Sequence, residues 1–207
     1  MNNLKFDDGK HLLNAGFSIM TVGENKVPLI SWKKLQEKAW NEVDLASGLT
    51  NEKAWRYGLI TGYGGLFCID IDLKVFSKPA DREPFYDELI SFLRDNIDAF
   101  DKKVAIYKTM NFGYHLVYRT DSLMGNVKLA RRQGHAQAVI ETRGVGGYIV
   151  VYDECVNKMS YTQTQKLTDE EHEMVIEICK FYDEPDVQAP IERIKAAPDI
   201  ISTGAKP

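Results

Sequence analysis

The chain predicts an α/β (α+β) domain in which a mixed or antiparallel central sheet is flanked by helices. Three observations predict it. Short apolar strand patterns alternate with helical ones in irregular order along 207 residues. One strand pattern, Leu66-Phe67-Cys68-Ile69, runs directly into Asp70-Ile71-Asp72. Two amphipathic segments, 84–95 and 168–182, are long enough to cover a sheet. A content of 44% apolar residues supports a substantial core.

The elements follow in order. Residues 7–15 read as a short helix with Asp7 as cap and Gly16 as stop. Phe17 to Val22 reads as a strand closed by the turn Gly23-Glu24-Asn25. Lys26-Val27 is extended before Pro28, and the chain turns helical after Trp32. Thr50 caps a short helix through Trp55. Tyr57 to Ile60 ends a strand and leads through Gly62, Gly64 and Gly65 to the Asp-x-Asp strand. Phe85, Leu89, Phe92 and Leu93 repeat at helical spacing over 84–95. Val104 to Lys108 and His115 to Arg119 flank a turn and read as a hairpin. Residues 121–135 lack periodicity and form a basic connection containing Lys128, Arg131 and Arg132. Gln137 to Arg143 and Tyr148 to Tyr152 are strands joined by Gly144-Val145-Gly146-Gly147. Thr168-Asp169-Glu170-Glu171 is a capping box opening the last helix. The organisation expected is a catalytic domain over 1–165, a helix over 166–184 packing on or following it, and a linker or tail over 185–207.

Several function classes are excluded. No stretch approaches the ~20 apolar residues of a membrane span, and the N-terminus lacks a secretory apolar region. Three widely spaced cysteines point to a reducing compartment, with neither a disulfide framework nor a zinc site. A net charge of −4 confines any nucleic-acid contact to a local patch.

Asp70 and Asp72 project from one face of their strand. Taken alone, the pair fits two solvated acids at a strand end as well as a divalent-metal site. Glu141, in the apolar run Ala138-Val139-Ile140, would be costly if buried alone, and Arg143 shares its face. Together the three carboxylates match the oxygen preference of Mg²⁺ or Mn²⁺. His115, Lys108 and Arg143 would supply the donors that a triphosphate needs.

At these residues the chain resembles the primase-polymerase (prim-pol) domain of the archaeo-eukaryotic primase superfamily, found at the N-terminus of plasmid and phage replication proteins. The resemblance spans roughly residues 10–155. Its pieces come in order: Gly16-Phe17, Lys26-Val27-Pro28-Leu29, Trp32-Lys33, Tyr57 to Gly62, Leu66 to Asp72, Lys108-Thr109, Gly113 to Tyr118, Ile140 to Gly144 and Gly146-Gly147-Tyr148. It implies a primase-like catalytic core and template-directed DNA primase/polymerase activity. It implies two Mg²⁺ or Mn²⁺ ions on Asp70, Asp72 and Glu141, without zinc. His115 would contact the incoming triphosphate, with Lys108, Gly113 and Arg143 beside it. Lys128, Arg131 and Arg132 are expected to hold the single-stranded DNA template. Nucleoside triphosphates are the implied substrates and a helicase domain or partner the implied neighbour. The implied location is the cytoplasm of a cell that hosts a plasmid or phage.

The chain departs from the family pattern in three places. Asn111-Phe112-Gly113-Tyr114 is bulkier than the usual lead into the histidine, Glu141 replaces the commoner Asp, and Val150-Val151-Tyr152-Asp153 replaces a proline-rich run. Two other readings use the same residues: a prim-pol-like module that binds nucleotide or nucleic acid without catalysis, and a metal-dependent nuclease. A nicking initiator lacks its His-x-His pair here.

Overall fold

The computed structural model describes residues 4–184; the expected tail over 185–207 lies outside them. Alternation along β3 (Leu66–Asp72) organises the molecule. Phe67, Ile69 and Ile71 face one way and Leu66, Cys68, Asp70 and Asp72 the other, so one strand feeds two cores.

β3 is the centre of a five-stranded antiparallel sheet ordered β4-β5-β3-β7-β6. Its neighbours are β4 (Ala105–Thr109), β5 (Gly113–Arg119), β6 (Lys128–Arg131) and β7 (Ala138–Arg143). The Phe67 face is covered by α3 (Arg82–Asn96) and α4 (Asp169–Phe181), whose Leu89, Leu93, Val175 and Cys179 join that core. The Cys68 face packs against a second antiparallel sheet, β1-β2-β8, built from Ile19–Val22, Arg56–Ile60 and Tyr148–Val150. Leu12 of α1 (Phe6–Asn14) and Leu45 of α2 (Glu42–Leu49) close this second core. The result is an α+β architecture with two antiparallel sheets and four α-helices among the described residues.

Three sequence expectations are corrected. α1 begins at Phe6 without a side-chain cap, so Asp7 lies inside its first turn. Thr50 does not open a helix. It closes α2, whose start is set by an Asn41–Asp44 capping box. The basic connection contains β6, an edge strand interrupted by register shifts between Lys128 and Arg131. β7 and β8 do not pair with each other; the glycine loop between them carries the chain from one sheet to the other. The capping box at Thr168 opens α4 as its sequence predicts. No helix among the described residues is long and apolar enough to cross a membrane.

His172 of α4 is buried, with Nδ1 3.0 Å from the Tyr118 hydroxyl and its ring edge-on to Phe67. Burial pushes its pKa below the ordinary 6.5, against a weaker pull from Asp169. The unfolded chain therefore binds the proton first, so this contribution to stability is intact above about 6.5 and is lost as pH falls below it. The denaturation midpoint is expected to drop on acidification, by up to about 1.4 kcal/mol per pH unit for one such group. Denaturant titrations across that range should show a shallower drop for His172→Gln.

Candidate active site

Strand register lines up one residue from each strand of the large sheet. Tyr107, His115, Asp70, Glu141 and Lys128 are successive cross-strand partners on the same face. Asp70, at the centre, has His115 on one side and Glu141 on the other. Directly opposed residues bring their Cβ atoms within roughly 5 Å, so the row forms a continuous polar strip. Its middle residues, His115, Asp70 and Glu141, floor a cleft of about 320 Å³, walled by the second sheet through Tyr148 and Tyr152 and by Lys26, Trp32, Gly146 and Gly147.

The glycine loop holds its shape through side chains from elsewhere. Thr61 Oγ1 donates to the Gly144 carbonyl (2.6 Å), Gln36 Nε2 donates to Gly147 O (3.3 Å), and Asn126 Oδ1 accepts from the Gly144 amide (3.1 Å). A Cβ on Gly144 would lie 1.8 Å from Met124 O, so only glycine passes there.

Arg143, one step along β7 from the row, reaches both acids. Its guanidinium bonds Asp70 Oδ2 at 3.1–3.2 Å and also pairs with Glu141. Desolvation, which alone would lower the Arg143 pKa, is outweighed by Asp70 and Glu141, and the pKa rises. Glu141 is pushed up by burial and by Asp70, against the pull of Arg143. Asp72 turns away to the rim, where Lys74 Nζ (2.7 Å) and Gln137 Nε2 (2.8 Å) hold it. Among the described residues, no three His, Cys, Asp or Glu side chains converge as a metal-ligand set. The three carboxylates thus share the cleft but not one point, which corrects the expectation of a single tight cluster. Their chemistry still fits a hard divalent cation, because all are oxygen donors. A guanidinium already lies against two of them, showing that this place attracts positive charge.

His115 is 6% exposed. Its Nε2 stands 3.7 Å from Asp70 Oδ1, and its Nδ1 is buried with no hydrogen-bond partner. Burial lowers its pKa, with Asp70 opposing and Arg143 and Lys26 adding to the drop. The imidazole is thus held neutral against Asp70, with one ring nitrogen buried and unpaired among the described residues. Tyr114 points to the opposite face and stacks on Tyr86 at 3.7 Å.

Two expected site residues do not reach the cleft. Lys108 pairs in register with Tyr114, which places it on the helix-covered face, and its ammonium stands 3.7 Å from Glu154. Gly113 is required by the sheet and not by a ligand, since a Cβ there would meet Ile71 O at 2.3 Å. Gly113→Ala is therefore expected to destabilise the fold at or above the roughly 1–3 kcal/mol typical of overpacking, as a lowered midpoint in thermal or urea unfolding.

The basic connection is also divided. Lys128 extends the polar row and is exposed, while Arg131 is exposed at the sheet edge. Arg132 is engaged by Glu184 (2.5 Å) and lies over the Phe76 ring. It anchors the end of the helical layer and is not free for a template. Conversely, Lys26, Lys74, Trp32, Tyr148 and Tyr152 line the cleft without having been singled out for it. Trp32 is half-buried and meets Tyr148 edge-on at 5.4 Å.

The structure is thus an α+β domain whose central sheet carries two acids and a histidine side by side in a polar cleft. The family comparison is more specific. A model described as bifunctional DNA primase/polymerase, N-terminal (Prim-Pol) matches residues 10–174, and the chain belongs to that family. Its members are primase/polymerase-type nucleotidyltransferases that act with DNA and nucleotides and typically depend on divalent metal. A comparison with individually curated proteins finds no match.

Proposed function

We propose that this domain is a template-directed nucleotidyltransferase, a DNA primase/polymerase that joins nucleotides on single-stranded DNA. The observation that carries this reading is the row His115–Asp70–Glu141 across three adjacent strands, with the buried His115 Nδ1 left unpartnered. Asp70 and Glu141, joined by Asp72, would hold Mg²⁺ or Mn²⁺. When bound, such ions activate the attacking oxygen and stabilise the leaving one. Arg143, released from the acids that a cation then neutralises, is positioned to meet phosphate oxygens. His115 supplies a hydrogen bond from the floor of the cleft. Lys128, whose ammonium donates only to the Ala136 carbonyl at 3.4 Å, and the exposed Arg131 would contact template phosphates, and a helicase partner would deliver the single strand.

The second reading, a binding module without catalysis, draws support from the guanidinium that spans Asp70 and Glu141. Incubation with a labelled nucleotide, Mn²⁺ or Mg²⁺ and single-stranded DNA separates the possibilities. Extension products support nucleotidyl transfer. Shortened DNA would indicate a nuclease, and binding without products the non-catalytic module.

A further inference from the structure

One cation in the cleft has no partner among the acids. Lys74 is held by Asp72, and Arg143 by Asp70 and Glu141. Lys26 lies in the turn after β1, where its amide donates to Gly23 O (2.8 Å) and the Gly23 amide donates to Val27 O (2.9 Å). Among the described residues no carboxylate lies within ion-pairing distance of its ammonium, which instead sits 5.8 Å above the Tyr152 ring. Tyr152 is buried, its ring also neighbours His115 at 5.5 Å between centroids, and the Lys26 charge reaches that imidazole. Lys26 thus overlooks the same floor as the orphaned imidazole nitrogen.

The backbone there is left-handed, at the residue that closes the turn. Lys26 has φ +65°, in the left-handed region that a Cβ disfavours and glycine occupies freely. The turn's own backbone bonds set this conformation, and the Tyr148 hydroxyl braces it from the opposite wall by donating to the Lys26 carbonyl at 3.0 Å. Tyr148 is itself braced edge-on by Trp32. A residue held in such a conformation, with its charge turned inward and unpaired, contributes little to folding. Strain of this kind concentrates where a side chain must be aimed at a ligand. The ligand must be a polyanion small enough for a cleft of about 320 Å³ and able to reach both Lys26 and His115.

We propose that Lys26 binds the triphosphate of the incoming nucleotide, opposite His115, and that its left-handed backbone and the Tyr148 hydroxyl serve to aim it. This rests on the nucleotidyl-transfer reading above. A backbone phosphate of the template offers the same chemistry. The inner position of Lys26, over the buried Tyr152, favours the free nucleotide.

The test uses the whole chain and three measurements: calorimetric titration with deoxyadenosine triphosphate and Mg²⁺, fluorescence anisotropy with a labelled single-stranded oligonucleotide, and thermal unfolding. Lys26→Gly should weaken nucleotide binding about tenfold or more, the loss expected for one charge-assisted contact. Oligonucleotide affinity should stay within about twofold, well inside that loss. The unfolding midpoint should hold or rise, because glycine accepts the left-handed backbone. Lys26→Arg should restore part of the nucleotide affinity. Unchanged nucleotide binding in Lys26→Gly overturns the proposal. If oligonucleotide binding is lost while nucleotide binding stays, Lys26 belongs to the template. A lower midpoint with unchanged nucleotide binding makes it a structural residue of the Tyr152 contact. If the unsubstituted protein binds no nucleoside triphosphate, the nucleotidyl-transfer reading falls first and Lys26 with it.

Discussion

Asp70→Asn is expected to abolish nucleotide addition while leaving the protein folded. Asp70 is the only residue of the cleft that touches both halves of the row, opposing His115 on β5 and Glu141 on β7. The amide keeps the size of the carboxylate and removes its charge. Arg143 retains Glu141, so the metal-free fold keeps most of its pairing. Any ion held by the pair loses a ligand, and His115 loses the acid that opposes its desolvation. The loss should be at least the roughly 10²–10³-fold that follows removal of a single charge-stabilising group from an active site. Single-turnover extension of a primed template, with circular dichroism as the folding control, measures it. An unchanged extension rate in a folded variant would eliminate Asp70 from the chemistry. Asp72→Asn should cost less, because Asp72 stands at the rim in the grip of Lys74 and Gln137.

Much of this site was legible from alternation alone. Phe67, Ile69 and Ile71 against Asp70 and Asp72 fixes which face of β3 carries charge, whereas His115 stands beside Asp70 through the pairing of β5 with β3, which leaves no local pattern. The family resemblance ordered the remaining pieces. What escaped did so for identifiable reasons. α2 buries only Leu45 and exposes Val43, so it has no apolar period to read; its one signal was the Asn41–Asp44 box. β6 alternates poorly because register shifts interrupt it. Lys108 has the charge a triphosphate needs and belongs to a family piece, yet its face is decided by pairing with Tyr114. Arg132 looked free because Glu184, its partner, lies 52 residues on along the chain. Lys26 enters the cleft only through a left-handed turn and a tyrosine from β8, neither of which leaves a local pattern.

Arg143→Ala is expected to turn the acids of the row into a site that divalent cations visibly stabilise. In the intact protein the guanidinium and a metal ion compete for Asp70 and Glu141. Without it, two half-buried carboxylates on adjacent strands face each other in register, unneutralised. Breaking a fully buried pair costs about 3–5 kcal/mol; with Arg143 partly open to water, about 1–3 kcal/mol is the fair expectation. Glu141 then loses the group that holds its pKa down, so it rises further above the ordinary carboxylate value. An acid whose folded pKa is raised binds its proton more readily in the fold than in the unfolded chain. The variant should therefore regain stability as pH is lowered toward the ordinary carboxylate range. Mn²⁺ should do the same at neutral pH, adding about 2.7 kcal/mol at a hundredfold excess over its dissociation constant. Thermal unfolding with and without Mn²⁺, in parent and variant, reads this directly. The shift must be larger in the variant, because only there are both carboxylates free beforehand. Equal shifts in the two proteins would mean that the ion binds elsewhere, and Asp70 and Glu141 would lose their assignment as ligands. Nucleotide addition by the variant should stay low even with the ion bound, since the same guanidinium is the group expected to receive phosphate once a cation has taken its place.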